Sequence, residues 1–188
     1  MKQPIQIGSL HNLNLNESEL RQIILSYPHP HFIGQQVLKN KNTPLDILLK
    51  HTNCIEMLNN PELPKIVYEK ILEENRSTVI GYALRVCYTP VWFMEKVLEK
   101  FPNDFGFQED ISRNNYVPEH ILKKLACSEY WEVRSHVISN NNVTFEILKM
   151  LQSDKEPRVL ISIKEKLKRL GKIPESITWR DVPSIKIA

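Results

Sequence analysis

Four basic residues recur at one position of a repeated phrase, and they are the side chains best suited to recognise an anionic partner. Each lies five residues before the proline, or its substitute, that ends one copy of the phrase. This cation column consists of Lys39, Arg85, Arg113 and Arg169, with Asn59 and Ser139 in the other two copies. If the copies stack, equivalent positions line one surface and could face acidic side chains or phosphates. The alternative is local, because a helix dipole also favours a cation at the helix C-terminus.

No motif in the sequence indicates catalysis or a metal site. The six histidines include one close pair, His29 and His31, but no Cys-x-x-Cys or His-Glu-x-x-His accompanies it. A zinc site is therefore not predicted. The chain also has no Gly-x-Ser-x-Gly, no phosphate-binding loop and no dinucleotide fingerprint, so we expect a non-catalytic protein with no metal and no cofactor. Trp131, near the start of a predicted helix, is a candidate aromatic anchor for a partner.

Composition and charge indicate a folded, water-soluble chain. Of 188 residues, 41% are hydrophobic and 25% are charged. No apolar run approaches the roughly 18 residues of a membrane span, and no signal peptide is recognised at the N-terminus. Three widely spaced cysteines do not form a secreted disulfide framework, so a cytoplasmic location is expected. From Glu146 onward the chain contains ten Lys/Arg and six Asp/Glu. This surplus of positive charge fits either a solvated helix face or a patch for an anionic partner.

The repeated phrase itself predicts the architecture. Its copies end at Pro44, Pro64, Pro90, Pro118 and Thr144, and a degraded sixth copy ends at Pro174. Successive ends are 20, 26, 28, 26 and 30 residues apart. Self-similarity at a period of tens of residues indicates stacked supersecondary units. After each end, apolar residues at i, i+3 and i+4 predict a helix with one buried face. The segment that runs into the next copy predicts a second helix.

Three residue types in the phrase predict where helices end and begin. An asparagine lies four residues before the end of four copies, as Asn40, Asn60, Asn114 and Asn140. Asparagine tolerates the left-handed backbone that ends a helix, and we predict that conformation here. The proline suits the first turn of the next helix, and Thr43 and Thr89 before it are predicted caps. The predicted second helices are 77–86, 104–113, 131–139 and 157–170.

The stretch from Ala126 to Leu151 resembles the variant leucine-rich repeat. That family's unit has a Val-Arg pair, then Val-Ala-x-Asn-Pro-x-Thr-Pro, then a leucine-rich helix. Val133-Arg134 and Val137-Ile-Ser-Asn140 stand at those places. The resemblance covers Val37 to Leu170 and implies a right-handed superhelical stack related in outline to HEAT-type solenoids. It also implies a structural role for Arg134 between units. One family member holds an iron–sulfur cluster through cysteines ahead of its repeats; the N-terminal segment here has no cysteine.

We therefore predict an all-α protein, a right-handed superhelical α-solenoid of about five to six irregular two-helix repeats with capping ends. Residues 1–36 are the predicted N-terminal cap segment and first helix, and residues 37–173 are the helical repeat stack. Residues 174–188 form an extended C-terminal tail that either caps the last helix or binds a partner. Asn16-Glu-Ser-Glu19 resembles a capping box that begins the first helix.

The predicted function is that of a non-catalytic protein-binding scaffold, an adaptor or an immunity or inhibitor protein. The alternative is a nucleic-acid-binding repeat protein that uses the cation column. A HEAT-like DNA-repair glycosylase is the least favoured, because the aromatic and the carboxylate that it needs on a basic concave face cannot be placed here. Another protein is the expected partner, nucleic acid is the alternative, and no membrane is expected. The sequence makes no prediction of oligomeric state.

Overall fold

The computed structural model describes residues 13–28, 31–87 and 89–171, and within them all regular structure is helical. Eleven α-helices and one 3₁₀ helix occur in these ranges, and no strand does. The predicted all-α class is confirmed. The predicted C-terminal tail, residues 174–188, lies outside the described residues. The chain divides into two compact units, residues 1–88 and 89–188.

The first unit contains five α-helices and the 3₁₀ helix. Their bounds are α1 (Glu17–Ser26), α2 (Phe32–Leu38), α3 (Leu45–Lys50), the 3₁₀ helix (Ile55–Asn59), α4 (Lys65–Glu73) and α5 (Ser77–Arg85). Helices α2 and α5 both pack on the 3₁₀ helix, α1 packs on α2, and α4 packs on α3 and α5. The predicted capping box is confirmed: Asn16 Oδ1 accepts the Glu19 N–H and a Glu19 carboxylate oxygen accepts the Asn16 N–H, both at 3.0 Å.

The second unit contains six α-helices, in which a helix that follows a phrase end alternates with a helix that leads into the next phrase. Their bounds are α6 (Val91–Lys100), α7 (Phe105–Arg113), α8 (Glu119–Leu125), α9 (Trp131–Ser139), α10 (Phe145–Leu151) and α11 (Pro157–Arg169). Helix α9 packs against α7 on one side and α11 on the other, so these three form a row. Helices α8 and α10 both pack against α9, and α6 packs against α7. The four predicted second helices are α5, α7, α9 and α11, with ends within one residue of the prediction.

The predicted apolar stripe forms the core of the second unit. Helix α10 buries Ile147, Leu148 and Leu151, which lie three, four and seven residues after Thr144. Helix α8 buries the three residues at the same offsets from Pro118. Full burial of a leucine or isoleucine side chain stabilises the fold by about 1.5–3 kcal/mol. A helix of seven residues is marginal by itself in water, so this packing is what holds α8 and α10 in helical form.

Three of the four repeated asparagines end helices in extended backbone, and none of the four has the left-handed conformation, so that part of the prediction is wrong. The angles φ and ψ are −78° and 116° at Asn60, −72° and 121° at Asn114, and −59° and 146° at Asn140. In each, Oδ1 accepts the N–H two residues further along, from Glu62, Tyr116 and Asn142. This local turn satisfies the backbone donor without positive φ. Among the described non-glycine residues only Asn75 has positive φ, at 52°.

The residues at the end of the phrase also differ from prediction. The four prolines of the phrase that the structure describes are each the N-cap of a helix and not a residue of its first turn, namely Pro44, Pro64, Pro90 and Pro118. Thr43 does not cap α3; its hydroxyl donates to Val37 O at 2.5 Å or to Asn40 O at 2.7 Å and so closes the preceding turn. Thr89 likewise precedes the N-cap of α6. Without a proline, Thr144 is itself the N-cap, and its Oγ1 accepts the Ile147 N–H at 3.4 Å.

The same asparagines connect successive turns, and we call these contacts the asparagine ladder. In the first unit, Asn40 Nδ2 donates to Leu13 O and Asn60 Nδ2 donates to Asn40 O, both at 2.8 Å. In the second unit, Asn140 Nδ2 donates to Ser112 O at 2.9 Å and to Asn114 O at 3.0 Å. All four asparagines of the phrase are buried. One side chain therefore both closes its own turn and binds the turn before it.

Lys166 continues the ladder where the sequence has no asparagine. The degraded sixth copy has Leu170 at the asparagine position. Lys166 Nζ instead donates to Asn140 O at 2.9 Å, which is the acceptor that a following asparagine would use. Burial, followed by the charge of Arg169, lowers the pKa of Lys166. The ammonium group thus satisfies the last buried turn carbonyl that the described ladder contains.

Candidate binding surface

In the first unit, the cation column lies at the C-terminal ends of helices. Lys39 follows α2 and is half-buried, and Asn59 is the last residue of the 3₁₀ helix. Arg85 ends α5 and is exposed. Its Nε donates to Gly81 O at 3.2 Å, and its guanidinium carbon lies 5.9 Å from the centre of the Tyr82 ring. Arg85 is therefore held against its own helix end, as the dipole alternative expects.

In the second unit, three members of the column end three neighbouring helices. Arg113, Ser139 and Arg169 are the last residues of α7, α9 and α11, and all three are exposed. Because α9 packs between α7 and α11, these ends follow one another across the row. Arg169 Nε donates to Glu165 O of its own helix at 3.4 Å. Across this row of helix ends, the two arginines of the cation column are thus separated by Ser139.

Arg113 is bound to two side chains. Its Nη2 lies 2.9 Å from Glu109 Oε1, and its Nε and Nη2 lie 3.2 and 3.0 Å from His136 Nε2 of α9. The other imidazole nitrogen, His136 Nδ1, is buried without a hydrogen-bond partner and lies 3.9 Å from Glu109 Oε1. Burial first, and the charge of Arg113 second, lower the pKa of His136, which Glu109 and Glu132 oppose. The imidazole is therefore neutral at pH 7.

Trp131 lies at the start of α9 and is half-buried. The guanidinium carbon of Arg158, in the second position of α11, lies 4.6 Å from the centre of a Trp131 ring. This is a cation–π contact between neighbouring helices. The predicted aromatic anchor thus has an intramolecular partner on one side, and its proposed role with another protein stays a prediction.

Arg134 joins two connecting turns, as the family resemblance implies. Its Nε and Nη2 bind the two carboxylate oxygens of Asp154 at 2.6 and 2.8 Å, and Nη1 donates to Ser128 O at 2.8 Å. The side chains are only 15% and 6% exposed. Burial raises the pKa of Asp154, but hydrogen bonds from Arg134 and from the backbone of Glu156 outweigh it, and the net pKa is lowered. This paired contact is structural.

Exposed ion pairs that the sequence patterns did not predict join α1 to α3, α6 to α8 and α8 to α10. In the second unit His120 Nε2 lies 2.9 Å from Glu95 Oε1, and Lys123 Nζ lies 2.8 Å from Glu146 Oε2. Both pairs join the residue five positions after one phrase end to the residue two positions after the next. Arg21 and Asp46 of the first unit, 2.7 Å apart, have the same offsets when counted from Asn16 and Pro44. This fixed spacing was the available signal.

Each unit contains a cavity lined by described residues. The cavity of the second unit, of about 320 Å³, has a mixed lining that includes Leu98, Leu125, Gln108, Lys124 and Ser128. Gln108 makes two hydrogen bonds there, because it donates to Pro102 O and accepts from Ser128. The other, of about 260 Å³, is an apolar groove between α1 and α3, lined mainly by Ile24, Leu25, Pro28 and Ile47. Neither cavity contains a recognisable catalytic pair.

Only one residue of the histidine pair, His31, lies within the described residues. His31 is the N-cap of α2, and its Nδ1 accepts the Ile33 N–H at 3.2 Å, while His29 lies outside the described residues. No group of three or more His, Cys, Asp or Glu that could bind a metal ion occurs in residues 13–28, 31–87 and 89–171.

The three cysteines differ in accessibility, which predicts their reactivity. Cys87 and Cys127 are exposed. Burial, together with a hydrogen bond from the thiol to Glu56, raises the pKa of Cys54 to about 12. Because the thiolate is the nucleophile, we expect two thiols to react with a disulfide reagent at pH 8 in the native protein and three in denaturant. Replacement of both exposed cysteines by serine should leave no rapidly reacting thiol; rapid labelling of Cys54 in the native state would contradict the expectation.

The fold and the surface define a class: an all-α protein in which repeated asparagines connect successive turns between helices. In the described ranges, no helix is long and apolar enough to cross a bilayer. Comparisons with known proteins add no relative, since no family model, no curated protein and no solved structure matches this chain. The resemblance to the variant leucine-rich repeat thus stays a prediction that rests on the quoted residues.

Proposed function

We propose that this chain is a non-catalytic protein-binding scaffold of the α-solenoid type, built from about five to six two-helix repeats and acting in the cytoplasm as an adaptor or as an immunity or inhibitor protein. The asparagine ladder supports the repeat architecture, because the same side chain makes the same two kinds of contact in each unit. Stacked repeats present a broad surface whose exposed residues vary while the buried ones recur. Such a surface suits recognition of another protein.

The observation that carries the proposal is a surface of mixed charge with large exposed apolar side chains. In the second unit Tyr116 is 66% exposed and Phe145 is 45% exposed. Their turns are adjacent, because Asn142 Nδ2 donates to Val117 O at 2.9 Å and Thr144 Oγ1 donates to Glu119 Oε1 at 3.0 Å. Aromatic side chains dominate the binding energy of protein interfaces. We call Tyr116 and Phe145 the aromatic edge of the second unit.

The charges nearby do not form a continuous positive field. Arg113, the column residue of α7, is neutralised by Glu109 at 2.9 Å. Lys123 lies between two carboxylates, at 3.2 Å from Glu119 and 2.8 Å from Glu146. Nucleic-acid binding requires several phosphate contacts from uncompensated cations. The pairing therefore favours a protein partner over a nucleic acid.

A variant of the aromatic edge tests the proposal. Protein retained from native lysate by the immobilised wild-type chain should fall about tenfold or more for the double variant Tyr116→Ser/Phe145→Ser, because two anchors are removed. The double variant should keep its fold, since both side chains are exposed. Leu25→Ser is the matched control, because Leu25 is an 81% exposed apolar residue of the first unit. Equal retention by wild type, variant and control, or no retention at all, would count against the proposal.

The alternative, nucleic-acid binding, has one specific observation in its favour. Helix α11 contains five cations and one acid, namely Arg158, Lys164, Lys166, Lys168, Arg169 and Glu165. Three of the cations are already used or buried: Arg158 lies over Trp131, Lys166 binds Asn140 O, and Lys164 is 6% exposed. We expect no binding of a 20-base-pair DNA or RNA duplex in low salt. Tight binding that weakens steeply with added salt would establish the alternative. Base release from alkylated DNA would establish the glycosylase.

A further inference from the structure

Glu109, Arg113 and His136 form a small cluster between α7 and α9 whose geometry depends on one proton. Arg113 has only N–H donors, so the contacts of 3.2 and 3.0 Å to His136 Nε2 require that nitrogen to accept. The proton of the neutral ring then lies on Nδ1, which is buried without a hydrogen-bond partner. The nearest acidic oxygen is Glu109 Oε1, at 3.9 Å. Glu109 also holds Arg113, at 2.9 Å.

We propose that this cluster is a proton-sensitive switch, in which neutral His136 holds Arg113 and protonated His136 releases it and binds Glu109. A proton on Nε2 removes the acceptor and places a second positive charge about 3 Å from the guanidinium. The same event strengthens the attraction between the imidazolium and Glu109. Arg113, whose side chain is 57% exposed, then loses one of its two partners and shares the other, Glu109, with the imidazolium, which makes its guanidinium more available to an anionic group.

The charges around the ring are few and lie on two helices. Arg113 and Glu109 come from α7, and Glu132 comes from α9 itself. Helices α8, α10 and α11 also pack against α9, and they add no described charged group to those that act on His136. Burial and Arg113 together lower the pKa of His136 below its ordinary value of 6.5. Between that lowered pKa and about 6.5 the unfolded chain binds more protons than the native one, so acidification through this window lowers stability.

The switch is a property of the chain alone and can be tested without a partner. Nuclear magnetic resonance of the full-length protein reports the tautomer of His136 and the Nε–Hε signal of Arg113 between pH 7.5 and 5. We expect the Nδ1–H tautomer at pH 7.5, a titration midpoint below 6.5, and an Arg113 signal that shifts with the same midpoint. An Nε2–H tautomer at pH 7.5, or an Arg113 signal that does not follow the midpoint, overturns the proposal.

Two variants separate the switch from a general effect of acid. In His136→Gln the amide oxygen can still accept from Arg113 but does not titrate, so the Arg113 signal should be constant over this range. In Arg113→Gln the like charge is absent, and the His136 midpoint should move upward. Backbone amide spectra at both pH values verify that each variant is folded. If His136→Gln does not fold, the Arg113→Gln midpoint alone decides, and an unchanged midpoint refutes the switch.

Discussion

Replacement of Asn140 by alanine is expected to lower the free energy of unfolding by about 3 kcal/mol. The change removes three hydrogen bonds: Nδ2 to Ser112 O, Nδ2 to Asn114 O, and Oδ1 from the Asn142 N–H. Asn140 is 4% exposed, so water cannot easily replace them, and an unsatisfied buried polar group costs more than the net value of its hydrogen bond. Urea denaturation followed by circular dichroism measures the loss.

The neighbouring residue provides a matched control for this prediction. Asn141 is exposed, and its amide makes one long contact of 3.4 Å with the Asn115 side chain. Asn141→Ala should change the free energy of unfolding by less than about 0.5 kcal/mol. Asn140→Asp should be at least as damaging as Asn140→Ala, because it turns a donor into a charge that faces two carbonyl oxygens. A stable Asn140→Ala protein would mean that the ladder is incidental to the packing.

Replacement of Asp154 by alanine is expected to cost about 3 kcal/mol, which is the second large effect. Asp154 accepts two hydrogen bonds from Arg134 and one from the Glu156 N–H. Its loss leaves a guanidinium whose side chain is 15% exposed without its carboxylate partner. Arg134→Met should be comparably damaging, because it strands the Asp154 carboxylate. The double variant should lose clearly less than the sum of the two single losses, since both remove one interaction.

The same contact predicts behaviour in acid. Because the native pKa of Asp154 is lowered from 3.8, the native state binds fewer protons than the unfolded chain between that lowered pKa and about 3.8. The stabilisation is present above about pH 3.8 and is lost as the pH falls through the native pKa. Asp154→Ala should lack this component of acid sensitivity. Glu146→Gln, at an exposed ion pair, is the control and should leave both stability and acid sensitivity nearly unchanged; equal losses in both variants would contradict the prediction.

The helices were predictable because their signal is local. The apolar offsets in Glu119–Leu125 and Phe145–Leu151 recur in the sequence, and the helices have those bounds. The Asn16 capping box was likewise readable from four residues. The role of the repeated asparagines could be predicted only in part. Their position at helix ends followed from the phrase, but the phrase did not predict their extended backbone, and their donation to the preceding turn depends on a segment 20 to 28 residues away.

The candidate surface was less predictable than the fold for the same reason. Arg113 could be placed at a helix end from the sequence, but its partner His136 lies 23 residues away and belongs to the next helix of the row. Trp131 could be placed at a helix start, but only packing brings Arg158 over its ring. The ion pairs Glu95–His120 and Lys123–Glu146 have a regular spacing in the sequence. That spacing predicts a contact only once α6, α8 and α10 are known to be neighbours.

The sequence by itself therefore determined the all-α class and the positions of the second helices, because these depend on interactions within a few positions of the chain. Only the tertiary structure decided which charges are neutralised, which aromatic side chains are exposed and what the repeated asparagines bind. Those properties depend on residues that are distant in sequence and are brought within 3 or 4 Å by packing. At Arg113 of the cation column, a predicted ligand for an anion is instead held by Glu109 of its own helix and by His136 of the next helix in the row.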